Sequence, residues 1–387
     1  MTQADATRPA RALLDAVTTL TRPLRMRVRI RVTSVDIVRG YAMIAMLISH
    51  STRELNGFDF RASYRWDTGI VPDMSQFSSW LGLLLHLSTP LFFLLAGMSL
   101  AFFIDSRKRR VWSEWAITRF LLIRAGVLIG LQLFLLNLQH SPPWYIPAFG
   151  VLGTIGLCII GIAFVRNLNL RVLGGLALVI VLTTQAFYYF AGQPTEPSLL
   201  RSLFLTTSTV EREIITFPVL AWFPVMLMGY IVGMLVQRGE IKLGPASLAI
   251  GLTFLGLWGF VRFMGGFGNL YMGHPLVFTK VPPDLAFLLF FLGFGFLLLA
   301  FHTYVTALES WLVFRILAIF GQTALFFYVL HERFVIPAVS IPARMLHLPP
   351  MLTAFLISAI AGVILYFLCL GYRNLRKAHP ESVLKYL

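Results

Sequence analysis

The chain has 387 residues, of which 57% are hydrophobic and 13% are charged, and its mean hydropathy is +0.77. Soluble globular domains carry about 25% charged residues, so this composition excludes a soluble globular protein. The 32 Lys and Arg against 17 Asp and Glu give a net charge of +15. Because the basic residues stand in short groups between apolar runs, they indicate the cytoplasmic loops of a membrane protein and exclude nucleic acid as the partner.

About ten apolar runs are long enough to cross a hydrocarbon core of about 30 Å, which needs about 20 helical residues. We place these helices at 35–51, 78–104, 116–138, 146–165, 171–191, 214–236, 246–264, 283–304, 317–336 and 351–371. The sequence therefore predicts an all-α, polytopic integral membrane bundle whose outer surface contacts the lipid bilayer.

The basic groups predict the orientation of this bundle. The N-terminal arm, residues 107–110 and residues 238–242 carry such groups, and all fall on the same side as the basic tail. By the positive-inside rule, both termini are expected to be cytoplasmic. We divide the chain into a basic cytosolic arm at 1–30, a transmembrane domain at 31–372 and a basic cytosolic tail at 373–387.

The first span contains a polar seam formed by Asp36, Arg39 and His50. At 100° per residue, these side chains and Met43 fall within one stripe of about 60–80° on an otherwise apolar helix. The helical rise places Asp36 and His50 about 21 Å apart, near opposite faces of the bilayer. Asp36 and Arg39 are also spaced to form a structural ion pair, and His50 is also compatible with a simple interfacial position.

The second span carries His86 in the text LLLHLSTPLFFLLAGMSL. Ionisable groups at bilayer depth are costly and usually face a cavity or a partner, so a functional role is the default hypothesis. Ser79, Gly82 and Gly97 share the face of His86, and Pro90 frees a backbone carbonyl one turn earlier. This face predicts a lined cavity or, alternatively, a histidine that hydrogen-bonds to a neighbouring helix.

Two later polar stretches are expected on the outer side of the membrane. Lys280 precedes the eighth span, and His331 and Glu332 close the ninth. A lysine at a helix end commonly extends to the interface, and an acidic residue there commonly forms an exposed pair. By the predicted topology, however, Lys280 and His331 share the outer half of the membrane with His50 and His86, which indicates a common site.

The spacing of the histidines indicates no metal site. The histidines do not combine a carboxylate three or four residues away with a second histidine in ligand spacing, and the sequence has no cysteine cluster. The two cysteines, Cys158 and Cys369, each lie inside an apolar run, so a disulfide framework is not expected.

Five segments of the chain, taken in order, carry a family resemblance. They are RVTSVDIVRGYAMIAMLISH, HLSTPLFFLLAGMS, FPVLAWFPVMLMGYIVG, TKVPPDLAFLL and FGQTALFFYVLH, and they cover about residues 31–335. Together they resemble bacterial members of the heparan-α-glucosaminide N-acetyltransferase-like family. The resemblance implies an acyltransferase domain in the bacterial cytoplasmic membrane. Such an enzyme moves an acyl group, usually acetyl, from cytosolic acyl-CoA (acetyl-CoA) to an amino sugar or a glycan hydroxyl on the outer side.

The resemblance also implies a histidine at the reaction centre. Imidazole suits this chemistry because its unperturbed pKa of about 6.5 lets it accept a proton near neutral pH. We favour His86 as the base or acyl acceptor, with His50 as the second catalytic candidate and Asp36 as an orienting partner. The residues expected to bind the donor or the acceptor are Arg39, Lys280, His331 and Glu332.

A secondary transporter or flippase for a sugar or lipid-linked substrate is the alternative function. Buried His, Arg and Asp also form proton relays in such proteins, which often have interrupted helices at matching positions of two halves. Here Pro90, Gly97 and Pro224 interrupt spans at unmatched positions, which favours the enzyme. Small-residue helix faces are compatible with a homo-oligomer.

Overall fold

A computed structural model of the chain defines the fold. It describes residues 33–52, 55, 75–136, 149–190, 199–205, 208–210, 213–215, 217–264, 278, 280, 282–379 and 381–382. The predicted basic arm and the end of the predicted tail lie outside the described residues.

The N-terminal helices follow the predicted apolar runs. They are α1 (Thr33–Ser51), α2 (Phe77–Leu85), α3 (Ser88–Arg109), α4 (Glu114–Gly130), α5 (Val151–Val165) and α6 (Leu170–Phe190). A π-helical segment, Leu131–Leu136, continues α4.

The C-terminal part begins with a short helix and a small hairpin. Strand β1 (Ser208–Val210) pairs antiparallel with β2 (Glu213–Ile215). The helices are α7 (Leu199–Phe204), α8 (Val219–Arg238), α9 (Leu243–Gly259), α10 (Leu285–Tyr304), α11 (Leu312–Gln322), α12 (Ala324–Leu330), α13 (Ile336–Arg344) and α14 (Pro350–Ala378). Two π-helical segments, Phe260–Met264 and His331–Val335, follow α9 and α12, and a 3-10 turn covers Thr306–Ser310.

Within the described ranges, eight helical segments are long and apolar enough to cross a membrane. In this count α2 and α3 form one segment, Phe77–Arg109, and α12 and α13 form another, Ala324–Arg344. The shorter apolar helices α5 and α11 add to the bundle. The all-α, polytopic membrane architecture predicted from the sequence is therefore confirmed.

Two predicted helices are interrupted. The run 78–104 breaks after Leu85, because Pro90 has no N–H to donate to the carbonyl of His86 four residues earlier. The predicted helix 317–336 is wrong, since α11 ends at Gln322 and Thr323 has non-helical dihedrals of −118° and 27°. Hydropathy cannot reveal a one-residue interruption between two apolar segments.

Glycines set how closely the central helices approach. A Cβ on Gly97 of α3 would overlap the carbonyl oxygen of Met226 in α8, so these two backbones are in direct contact. Likewise, a Cβ on Gly321 of α11 would overlap the carbonyl oxygen of Asp36 in α1. The second crossing matters for function because it brings the chain that leads to His331 alongside α1.

Candidate active site

Three ionisable side chains meet where α1 ends. His50 lies in the last turn of α1, and His331 and Glu332 begin the π-helical segment after α12. Nδ1 of His50 is 3.0 Å from Nε2 of His331, and the two rings stack at 18° with centroids 5.1 Å apart. Nδ1 of His50 also lies 4.0 Å from Oε1 of Glu332. We call these three residues the outer histidine cluster.

The hydrogen bonds of His331 define its tautomer. Its Nδ1 lies 2.6 Å from the carbonyl oxygen of Tyr328 and 3.1 Å from that of Phe327. A carbonyl oxygen only accepts, so the proton is on Nδ1 and the lone pair of neutral His331 is on Nε2. His50 Nδ1–H therefore donates to His331 Nε2, which leaves the lone pair of neutral His50 on its own Nε2.

The three side chains of the outer histidine cluster differ in how far they are exposed. The side chain of His331 is 0% exposed, whereas those of His50 and Glu332 are 15% and 22% exposed. His331 is thus the buried member, and His50 is the more exposed of the two histidines. This is the arrangement of a base held in place by a buried orienting group.

His86 lies elsewhere, at the break between α2 and α3. It is buried, its Nδ1 is 2.6 Å from the carbonyl oxygen of Gly82, and its ring centroid is 6.4 Å from that of Phe291 in α10. The sequence placed His86 inside one continuous span, whereas the structure places it at a break between two helices. Among the described residues, its ring contacts a carbonyl of its own helix and an aromatic ring of α10.

Asp36 and Arg39 form the ion pair that their spacing predicts, with 3.3 Å between Nη1 and Oδ1. The Arg39 guanidinium also donates to the carbonyl oxygens of Gly321 at 2.9 Å and Leu95 at 3.3 Å, and to the Ser99 hydroxyl. Arg39 thereby joins α1, α3 and α11. It lies eleven residues before His50, about 16 Å along the helix axis, so the pair is separate from the outer histidine cluster.

Lys280 stands before α10, next to a buried ion pair that sequence reasoning missed. Lys280 is half-buried and forms a backbone bridge with Pro283. Beside it, Arg262 and Asp284 are only 2% and 3% exposed, with 3.6 Å between Nη2 and Oδ2. The Asp284 carboxylate also accepts from the backbone N–H of Phe287 and so caps α10. The position of Arg262 inside an apolar run is the sequence feature that could have indicated this pair.

Arg124 is a second group that sequence reasoning missed. It lies ten residues into α4, about 15 Å along the axis, and close enough to Arg39 and Arg376 for their charges to repel. Within the part of the chain that the structure describes, no carboxylate pairs with Arg124. A cation in a membrane helix usually faces a partner or an ion pathway, so Arg124 is a candidate functional residue.

The structure therefore divides the seven residues singled out from the sequence among three places. His50, His331 and Glu332 form one cluster. Asp36 and Arg39 form the ion pair that lies about 16 Å from His50 along the axis of α1. His86 and Lys280 both lie near the first half of α10. Three potential metal ligands meet in the outer histidine cluster, although their spacing in the sequence predicted no metal site.

The long apolar helices of this chain, with ionisable side chains enclosed among them, define a polytopic integral membrane protein. The family profile described as heparan-alpha-glucosaminide N-acetyltransferase, catalytic, matches residues 31–262, more than half of the 387-residue chain. The chain belongs to this family, and membership identifies it as a membrane acyltransferase. A comparison with curated proteins finds no match.

Proposed function

We propose that this protein transfers an acetyl group from cytosolic acetyl-CoA to an amine or hydroxyl of a sugar on the outer side of the bacterial cytoplasmic membrane. The observation that carries the proposal is the hydrogen bond from His50 to His331, which leaves a basic nitrogen on the more exposed member of the pair. The basic loops support cytoplasmic termini, and with them a position of His50 at the outer end of α1.

In the proposed reaction, the acceptor amine or hydroxyl attacks the carbonyl carbon of the thioester. His50 Nε2 takes the proton that the attacking atom loses, and the carbon–sulfur bond then breaks. The CoA thiolate leaves and takes up the proton that the His50 imidazolium holds, which restores the base. His331 holds the His50 ring in place throughout, and the Glu332 carboxylate, 4.0 Å away, stabilises the imidazolium that forms.

The donor is proposed to enter from the cytoplasmic side. Arg376 in the last turn of α14 and Arg124, about 15 Å into α4, supply positive charge along this path for the phosphates of CoA. Arg39 already donates to four acceptors, so we assign it to holding the helices together rather than to the donor. About 16 Å separates the level of Arg39 from that of His50, and the extended pantetheine arm is the part of the donor that crosses this distance.

His86 receives a supporting role in this proposal. Its Nδ1 contacts Gly82 and its ring lies against Phe291 at the helix break. We propose that it shapes the break beside the acyl path, while His50 performs the proton transfer. Lys280 stands near the same end of α10 and is a candidate for contacts with the acceptor sugar.

Transfer assays on matched histidine variants test this assignment. Purified protein in proteoliposomes receives radiolabelled acetyl-CoA and glucosamine, and labelled acetylated sugar is quantified. We expect His50→Ala to lower kcat by about 10²- to 10⁴-fold, the usual contribution of a general base. His86→Ala should retain at least a tenth of the rate, and the exposed His379→Ala should match the wild type.

The opposite ranking, with His86→Ala inactive and His50→Ala active, would return the catalytic role to His86. Uptake of labelled glucosamine without any acyl donor would instead support the transporter. Placing acetyl-CoA and glucosamine on opposite faces of the vesicle tests the sidedness, and transfer only with both on one face would contradict delivery across the membrane.

A further inference from the structure

The outer histidine cluster has the composition of a metal site. Each of His50, His331 and Glu332 offers one ligand atom, and these three atoms lie within 4.8 Å of one another. Two imidazole nitrogens and a carboxylate oxygen are a common ligand set for Zn²⁺, and imidazole also suits Cu²⁺ and Ni²⁺.

The distances in the cluster fit a tetrahedral ion after small side-chain rotations. Zinc–nitrogen and zinc–oxygen bonds of about 2.0–2.2 Å at tetrahedral angles separate ligand atoms by about 3.3–3.5 Å. The cluster has 3.0 Å between His50 Nδ1 and His331 Nε2, and 4.0 Å between His50 Nδ1 and Glu332 Oε1. The first of these must widen and the second must narrow, each by about half an ångström. The third separation, between the ligand atoms of His331 and Glu332, lies within the 4.8 Å that spans the set.

The surroundings of His331 match those of a metal ligand. Ligating histidines almost always donate their second ring N–H to a carbonyl or a carboxylate, which fixes the ring and raises the basicity of the ligand nitrogen. His331 does so through Nδ1, which faces the carbonyl oxygens of Phe327 and Tyr328. Its Nε2 lone pair therefore points at His50 whether or not a metal is bound.

We propose that His50, His331 and Glu332 bind one divalent transition-metal ion, such as Zn²⁺, and that this ion inhibits acyl transfer. The inhibitory part rests on the proposed function, whereas the binding itself does not. To bind a metal, His50 must present its Nδ1 lone pair, so its proton moves from Nδ1 to Nε2. The metal then takes the place of the shared proton, and the Nε2 lone pair that would accept the sugar proton is lost.

Zinc binding to the purified, chelator-treated protein tests the site without any acyl donor. Isothermal titration with ZnCl₂ should show one tight ion per chain, and CoCl₂ should give the visible absorption bands of a tetrahedral site. Glu332→Gln and His331→Leu should each weaken binding at least about tenfold. The control is His347→Asn, which removes an exposed histidine and suits the positive φ of 49° at that position.

Equal zinc affinity in the wild type and in folded Glu332→Gln protein would overturn the site, even if His331→Leu failed to fold. Wild-type transfer that stays at full rate with the site saturated would overturn the inhibitory role. Stoichiometric loss of transfer with zinc, reversed by a chelator, supports it. Metal binding in a protein that transfers no acetyl group would support the site while contradicting the proposed function, so the two failures are distinguishable.

Discussion

Removing the acceptor nitrogen of His331 should slow acyl transfer without unfolding the protein. His331→Leu keeps an apolar side chain of moderate size in the buried position but cannot accept the hydrogen bond from His50 Nδ1. In the transition state His50 becomes an imidazolium, so the lost bond is one to a charged group, worth about 1.5–3 kcal/mol. At 1.36 kcal/mol per factor of ten, kcat should fall by about 10- to 150-fold.

The matched variant is His331→Gln, whose side-chain carbonyl reaches about as far as the imidazole Nε2 and can accept the same hydrogen bond. We expect it to recover most of the rate, with an unchanged KM for acetyl-CoA in both variants because the donor's phosphates bind elsewhere. Steady-state kinetics with thermal unfolding of the detergent-solubilised proteins provide the measurement. Equal loss in the two variants, or wild-type kcat in His331→Leu, would refute the orienting role.

Two further predictions concern the stability of the bundle, each measured by thermal unfolding in detergent. Gly321→Ala places a Cβ against the Asp36 carbonyl and should cost about 1–3 kcal/mol, whereas Gly126→Ala enters open space and should be neutral or slightly stabilising. Equal effects would contradict the crossing. Arg262→Ala removes the buried cationic partner of the Asp284 carboxylate and should cost about 3–5 kcal/mol. Arg238→Ala breaks a pair of the same 3.6 Å length that is half-exposed, so it should cost at most about 1 kcal/mol; similar losses would show that burial does not determine the energy.

The positions of most membrane helices follow from the lengths of apolar runs. A run of about 20 apolar residues can satisfy its backbone in lipid only as a helix, so helices such as α8 and α10 are readable without any tertiary information. The interruptions at His86 and Thr323 differ in this respect. Pro90 indicates the first in the sequence, whereas the second lies between two apolar segments beside the close approach of Gly321 to α1, and neither feature changes the hydropathy.

The candidate site was readable only in part. The polar seam of α1 marks His50, and the helical repeat correctly spaces Asp36 and Arg39 for an ion pair. The partnership of His50 and His331 joins residues 281 positions apart, so only the three-dimensional fold can establish it. For the same reason, spacing rules for metal ligands could not detect a set contributed by two separate helical segments.

Arg124 and Arg262 show a different limit. Both are ionisable residues inside apolar runs, the same signal that singles out His86, so the sequence contains the information needed to find them. Their roles nevertheless depend on neighbours. Arg262 is neutralised by Asp284 at the start of another helix. The charges of Arg39 and Arg376, by contrast, repel that of Arg124.

Chemical rescue of His50→Ala by free imidazole most directly tests the claim that the His50 ring is the base. With saturating acetyl-CoA and glucosamine, added imidazole should raise the transfer rate of this variant in proportion to its concentration and leave the wild type unchanged. Transfer by His50→Ala at the wild-type rate, before any imidazole is added, would contradict the claim.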